Sequence, residues 1–211
     1  MSLVDKSPRP DVGHGRDRSS GTTRLVAVVG SVTPPGRLNR AIELALELAR
    51  AKPGCEATLV NLADHRIGFA DGRPLDQLGD DSARVVGEIA AADAVLMASP
   101  VYRGSYTGAL KNLLDLTPVD ALRNKPVGIV AMGATLHHYL GVDGQLRSVL
   151  AWFGALVLPT SVYLESSHFK DGQLTDAAAR AAVADLVGAL LAVARSPHDQ
   201  LGPPPLAAGR S

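Results

Sequence analysis

Three short segments carry residue types suited to one kind of ligand. Gly30-Ser31-Val32-Thr33-Pro34-Pro35-Gly36-Arg37-Leu38-Asn39 offers short hydroxyls, a guanidinium and an amide where an apolar run gives way to an amphipathic one. A phosphate monoester asks for such groups beside a helix N-terminus, where backbone N–H groups point outward. The glycine spacing is not GxGxxG, and the Gly-Lys-Ser/Thr ending of a P-loop is missing. Ser31, Thr33, Arg37 and Asn39 are therefore candidates for a phosphate other than that of ATP or a Rossmann-bound dinucleotide. The same stretch also reads as a solvated turn.

The second segment, Ser99-Pro100-Val101-Tyr102-Arg103-Gly104-Ser105-Tyr106-Thr107-Gly108-Ala109-Leu110-Lys111, joins an apolar run to a helix and is poor in helix formers before Thr107. Pro100 fixes its own φ and biases Ser99 towards extended geometry, while Gly104 removes a Cβ from the path of a flat partner. Such a loop can edge an aromatic ring. Arg103 can meet a phosphate in two places at once, or stand as an ordinary surface charge. Tyr102 and Tyr106 fit a ring contact or a subunit contact. In the third segment, Gly133-Ala134-Thr135 is a small-residue turn with N–H donors and a hydroxyl, followed by His137 and His138. Consecutive helical residues point about 100° apart, and no neighbouring Asp, Glu or Cys completes a ligand set, so local hydrogen bonding is preferred to a metal. No Gly-x-Ser-x-Gly elbow places a catalytic serine.

The elements that must hold these segments alternate. Leu25–Val29, 55–62, Ala94–Ala98, Pro126–Ala131 and 155–163 read as strands, the last with Pro159 marking an edge or a break. Helices are expected over 38–50, 81–92, 107–116, 138–153 and 175–195, and 63–79 reads as an irregular surface loop. Strand–helix alternation argues for a parallel sheet covered on both faces. Five strands can close as a Rossmann half or as a flavodoxin-like sheet of order 2-1-3-4-5. In the second, strands one and three flank the point where strand order reverses, and the loops described above fall there. Residues 1–23 and 196–211 lack a hydrophobic period and read as a mobile leader and tail around a domain at 24–195.

At 211 residues the chain suits one well-buried core. It balances 21 basic against 21 acidic residues, which favours neither nucleic acid nor the acidic face of a flavodoxin-type carrier. The single cysteine, Cys55, excludes an internal disulfide and reads as a small buried or half-buried hydrophobe. With no long uninterrupted apolar run and no signal-like N-terminus, a cytoplasmic protein without membrane segments is expected.

The second segment, with the Leu113-Leu114-Asp115 that follows it, resembles the NAD(P)H-dependent FMN reductase family, most closely its alkanesulfonate-utilisation branch. The likeness spans roughly Arg24 to Asp176. It implies a flavodoxin-like three-layer doubly wound α/β sandwich with a five-stranded parallel sheet of order 2-1-3-4-5. It also implies FMN as flavin, NADPH or NADH as hydride donor, and hydride transfer at flavin N5 with no catalytic side chain and no metal. Cofactor contacts are implied at Ser31, Thr33, Arg37 and Asn39, at Pro100, Val101, Tyr102, Arg103 and Ser105, and at Gly133, Ala134 and Thr135. The family usually has Ser where Gly36 stands and a second glycine where Ala134 stands. If the latter position needs a positive φ, alanine costs about 1 kcal/mol there. A homodimer or homotetramer is implied, with the helix carrying Tyr106, Leu110 and Leu113 as the candidate interface, and a flavin-dependent monooxygenase is the implied recipient of reduced flavin. Two alternatives stay open: an FMN-containing reductase of quinones, azo compounds or metal ions, and a non-enzymatic electron carrier.

Overall fold

The computed structural model describes residues 21–196. The expected leader and tail lie outside these residues apart from 21–23 and 196. Thr23, placed with the leader in the sequence reading, opens the first strand.

Strands β1 (Thr23–Val29), β2 (Cys55–Asn61), β3 (Ala94–Pro100) and β4 (Pro126–Gly133) run parallel in the order β2-β1-β3-β4. Val29 pairs with Asn61 on one side and Ala98 on the other, and Pro100 pairs with Met132. The C-terminal ends of β1, β3 and β4 therefore emerge on one rim, with the reversal of strand order between β1 and β3. Side chains alternate across the sheet with period two. Leu25, Ala27 and Val29 enter the layer with helices α1 (Arg37–Arg50) and α5 (Ala177–Arg195). Val26 and Val28 enter the layer with α2 (Ser82–Ala91), α3 (Gly108–Leu116) and α4 (Tyr139–Trp152). Both faces are dry, which is why the strands read as near-continuous apolar runs.

The fifth strand breaks in two. β5 (Leu156–Val157) and β6 (Val162–Glu165) each pair with β4, in place of the single expected strand over 155–163. Pro159 lacks the N–H a ladder needs. The guanidinium of Arg147 donates to the carbonyls of Leu158 and Pro159 at 2.7 and 3.1 Å, and its Nε sits 2.8 Å from Asp143, so α4 supports the interrupted edge. A small hairpin, β7 (Phe169–Lys170) and β8 (Gln173–Leu174), turns through Asp171 and Gly172 at φ 50° and 78°. Two-residue strands have no readable period, and the sequence reading missed them.

One further reading is corrected by burial. Leu110 and Leu113 lie in the core beneath α3, at 0% and 1% exposure, and are unavailable to a second subunit. Helix α5 has the length and apolarity of a membrane span. Its Val183, Leu186, Val187, Leu190 and Leu191 are nonetheless buried in the core shared with α1.

Candidate active site

The first turn, between β1 and α1, gathers two hydroxyls, an amide and a guanidinium. Ser31 is buried and Thr33 exposed, and their hydroxyl oxygens lie 2.7 Å apart. Asn39, also buried, accepts from the Gly36 N–H at 3.2 Å and so shapes the start of α1. No side chain caps α1 and no acidic residue sits in its first turn. Thr107 caps α3 and Asp176 caps α5, whereas α2 and α4, like α1, have no side-chain cap. An uncapped helix start exposes N–H donors at the positive end of the helix dipole. Arg37, in that same first turn, reaches the Ser166 hydroxyl at 3.0 Å, at the end of β6, which holds the guanidinium along the rim.

The second turn is fixed from within. The Ser99 hydroxyl, fully buried, accepts from the Thr107 N–H at 3.0 Å and donates to the Pro100 carbonyl at 2.9 Å, closing the loop on itself. Tyr102 and Ser105 exchange two backbone hydrogen bonds of 2.8 and 3.1 Å. Between them Arg103 and Gly104 have φ of 53° and 75°, the pattern of a type I′ turn. The usual Asn-Gly is replaced by Arg-Gly, so a bulky residue stands in a backbone region it disfavours. Arg103 and Tyr102 both face solvent there.

In the third turn Ala134 is not among the residues with positive φ, so replacing the family's second glycine strains nothing. Thr135 Oγ1 lies 3.5 Å from His138 Nδ1. The Tyr163 hydroxyl donates to the Thr135 carbonyl at 2.6 Å, and burial first, then the Glu165 carboxylate, raises the phenol's pKa.

Direct contacts join the three turns. The Thr107 hydroxyl donates to the Gly30 carbonyl and accepts from the Leu110 N–H, tying the first turn to the second. A Cβ on Gly141 would stand 2.7 Å from the Gly104 carbonyl oxygen, so the tip of the second turn rests on the bare start of α4. A Cβ on Gly133 would meet Val101 at 3.3 Å. Exposed apolar side chains stand around the same rim: Val32 on the first turn, Tyr102 on the second, Leu136 and Tyr139 after the third. Polar donors at one end and apolar surface at the other suit an amphipathic phosphorylated ring. A depression of about 180 Å³ at the opposite rim, lined by Arg24, Glu56, Thr58 and Glu88, is smaller than small-molecule sites of about 300–1,000 Å³.

All twelve residues named from the sequence lie on or beside these turns. Sequence reasoning missed Tyr163, Gly141 and the bridging role of Ser99. None carries a motif of its own; Tyr163 and Gly141 act on segments far apart in the chain, and Ser99 acts within its own loop.

The NADPH-dependent FMN reductase family profile matches residues 23–169. The chain belongs to this family. Within the NADPH-dependent FMN reductase family, it is 35% identical over 164 residues to an NAD(P)H-dependent FAD/FMN reductase of Geobacillus thermodenitrificans, covering 77% of this chain and 89% of that one. It is 37% identical over 147 residues to an FMN reductase (NADPH) of Pseudomonas aeruginosa, covering 69% and 78%. It is 35% identical over 153 residues to the NADH-dependent FMN reductase SfnF of Pseudomonas fluorescens, covering 72% and 81%. Among solved structures, the apo form of the NADH:FMN oxidoreductase EMOB superposes with a TM-score of 0.68 at 25% identity, covering 83% of this chain and 92% of that one. The protein is thus an oxidoreductase of the flavin-reducing kind with a flavodoxin-like fold.

Proposed function

We propose that the rim formed by the three turns holds FMN for reduction by NADPH or NADH, and that reduced flavin leaves to serve a flavin-dependent monooxygenase. The observation that carries this reading is the convergence on one rim of the α1 start at Gly36, which has no side-chain cap or first-turn acid, with the Ser31–Thr33 hydroxyls, the type I′ turn and the Gly133–Thr135 turn. The chain's residues fit the group. The Ser31 and Thr33 hydroxyls, the α1 N–H groups and Arg37 receive the phosphate, with Asn39 shaping the loop. Pro100, Val101, Tyr102 and Ser105 edge the ring system, and the backbone of Gly133, Ala134 and Thr135 faces its pyrimidine end.

Bound FMN supplies the hydride-accepting atom, so no side chain has to act as acid, base or nucleophile. The chain's task is placement, together with preorganised N–H donors where negative charge develops. Arg103 holds a guanidinium out from a strained turn, a conformation expected where the surrounding structure uses the group. We assign it to the phosphates of the nicotinamide nucleotide. The apolar rim supports a homodimer or homotetramer in which a second copy covers part of the site, and the family supports a cytoplasmic setting.

The test is NADPH and NADH oxidation by the purified protein with and without added FMN. Oxidation that rises with free FMN is the expected result, and no oxidation with either nucleotide at saturating FMN refutes the reading. Acceptor profiling against quinones and azo compounds separates release of reduced flavin from electron delivery by a retained one.

A further inference from the structure

Tyr163 stands at the third turn, at the end of the strand read over 155–163 and outside the three segments marked for a ligand. It lies on β6, opposite Ala131 of β4, beyond the break at Pro159. From there its phenol crosses the backbone of β4. A Cβ built on Gly133 would be 2.0 Å from the Tyr163 hydroxyl and 3.0 Å from the ring carbon that bears it. The hydroxyl thus occupies the space that a side chain at 133 would need, and from that position it donates to Thr135 O at 2.6 Å. The ring is steadied by Tyr139 of α4, edge to face with centroids 6.3 Å apart and planes at 81°.

Engaging this one carbonyl has a directional consequence. In a planar trans peptide the C=O and the following N–H point opposite ways. With the Thr135 carbonyl drawn to Tyr163 and also accepting from the His138 N–H at 3.4 Å, the Leu136 N–H is turned away from β6. Leu136 itself is exposed on the rim. A bare glycine, a phenol laid over it and a carbonyl held by that phenol form one device.

We propose that Tyr163 is a positioning residue for flavin: seated on Gly133, it locks the 133–136 turn so that its N–H groups are presented to the pyrimidine end of FMN. This rests on the FMN site proposed above. The role is separate from fold maintenance, because β6 pairs with β4 through its backbone and Tyr163→Phe keeps the ring and its contact with Tyr139.

The experiment compares wild type, Tyr163→Phe, Gly133→Ala and the double variant by FMN titration, by KM and kcat for FMN and for NADPH, and by thermal melting. Tyr163→Phe should weaken FMN binding about fivefold to tenfold, the loss of one net hydrogen bond, with KM for NADPH and the melting temperature nearly unchanged. Gly133→Ala should bind FMN poorly. Adding Tyr163→Phe to it should recover part of the affinity, since the nearest atom to the new methyl recedes from 2.0 to 3.0 Å. Unchanged FMN affinity in a folded Tyr163→Phe overturns the proposal, as does a lowered melting temperature with no change in FMN binding, or additive losses in the double variant. Wild type that binds no FMN overturns the site itself, a result distinct from these.

Discussion

Removing the Thr107 hydroxyl tests whether the first two turns behave as one unit. Thr107→Val keeps the shape of the side chain but deletes both hydrogen bonds of a residue only 4% exposed. Loss of the α3 cap costs about 1 kcal/mol, and leaving the buried Gly30 carbonyl without its partner adds about 1–3 kcal/mol. The sum, about 2–4 kcal/mol, should appear in urea unfolding as a lower midpoint at unchanged slope. FMN affinity should fall with it, because the freed Gly30 carbonyl no longer anchors the Ser31–Thr33 turn. Thr107→Ser retains the hydroxyl and should lose less than about 1 kcal/mol, the scale of removing one methyl group. If the valine variant unfolds within about 0.5 kcal/mol of wild type, or the serine variant is as damaged as the valine one, the hydroxyl is not what couples the turns.

Three further outcomes follow from the geometry. Arg103→Asn creates the Asn-Gly pair that a type I′ turn favours, and should stabilise the protein by about 0.5–1 kcal/mol in urea unfolding while raising KM for NADPH; a destabilised variant contradicts the strain at φ 53°. Gly141→Ala places a methyl 2.7 Å from Gly104 O and should displace the 102–105 turn, lowering FMN affinity more than Gly144→Ala, whose Cβ meets nothing within 4 Å; equal effects refute the contact. The Asp81 carboxylate accepts from the Arg66 N–H at 2.9 Å and meets Arg84 at 3.0 Å, and in that order these hold its pKa below the usual carboxylate value. A depressed folded pKa gives stability that is complete above the unfolded value and lost as pH falls through the folded one. Hydrogen exchange at the Arg66 amide should therefore quicken as pH drops below about 4, relative to the intrinsic rate, and Asp81→Asn should abolish that dependence.

The layers were legible because burial writes itself into residue type. Val26 and Val28 alternate with Leu25, Ala27 and Val29, and both sets are apolar because helices cover both faces. The helix over 107–116 was readable from its amphipathic run, and the structure shows Thr107 capping it through the Leu110 N–H. The break at Pro159 was readable from the missing N–H, but the rescue by Arg147 was not, since it depends on a helix turn about 12 residues upstream meeting two carbonyls. The phosphate, ring and pyrimidine candidates were readable as loops after apolar runs. Their mutual placement came from strand order. Tyr163 and Gly141 escaped notice for a related reason: each acts on a backbone atom of another segment, and nothing in its own neighbourhood encodes that.

The central claim is that one rim of the sheet holds FMN through all three turns, and a crystal structure of the protein with FMN tests it most directly. The account predicts the phosphate at the start of α1 beside Ser31, Thr33 and Arg37, the ring against Pro100–Ser105, and its pyrimidine edge at Gly133–Thr135. FMN bound at the opposite rim, or bound here with its phosphate away from α1, would contradict it.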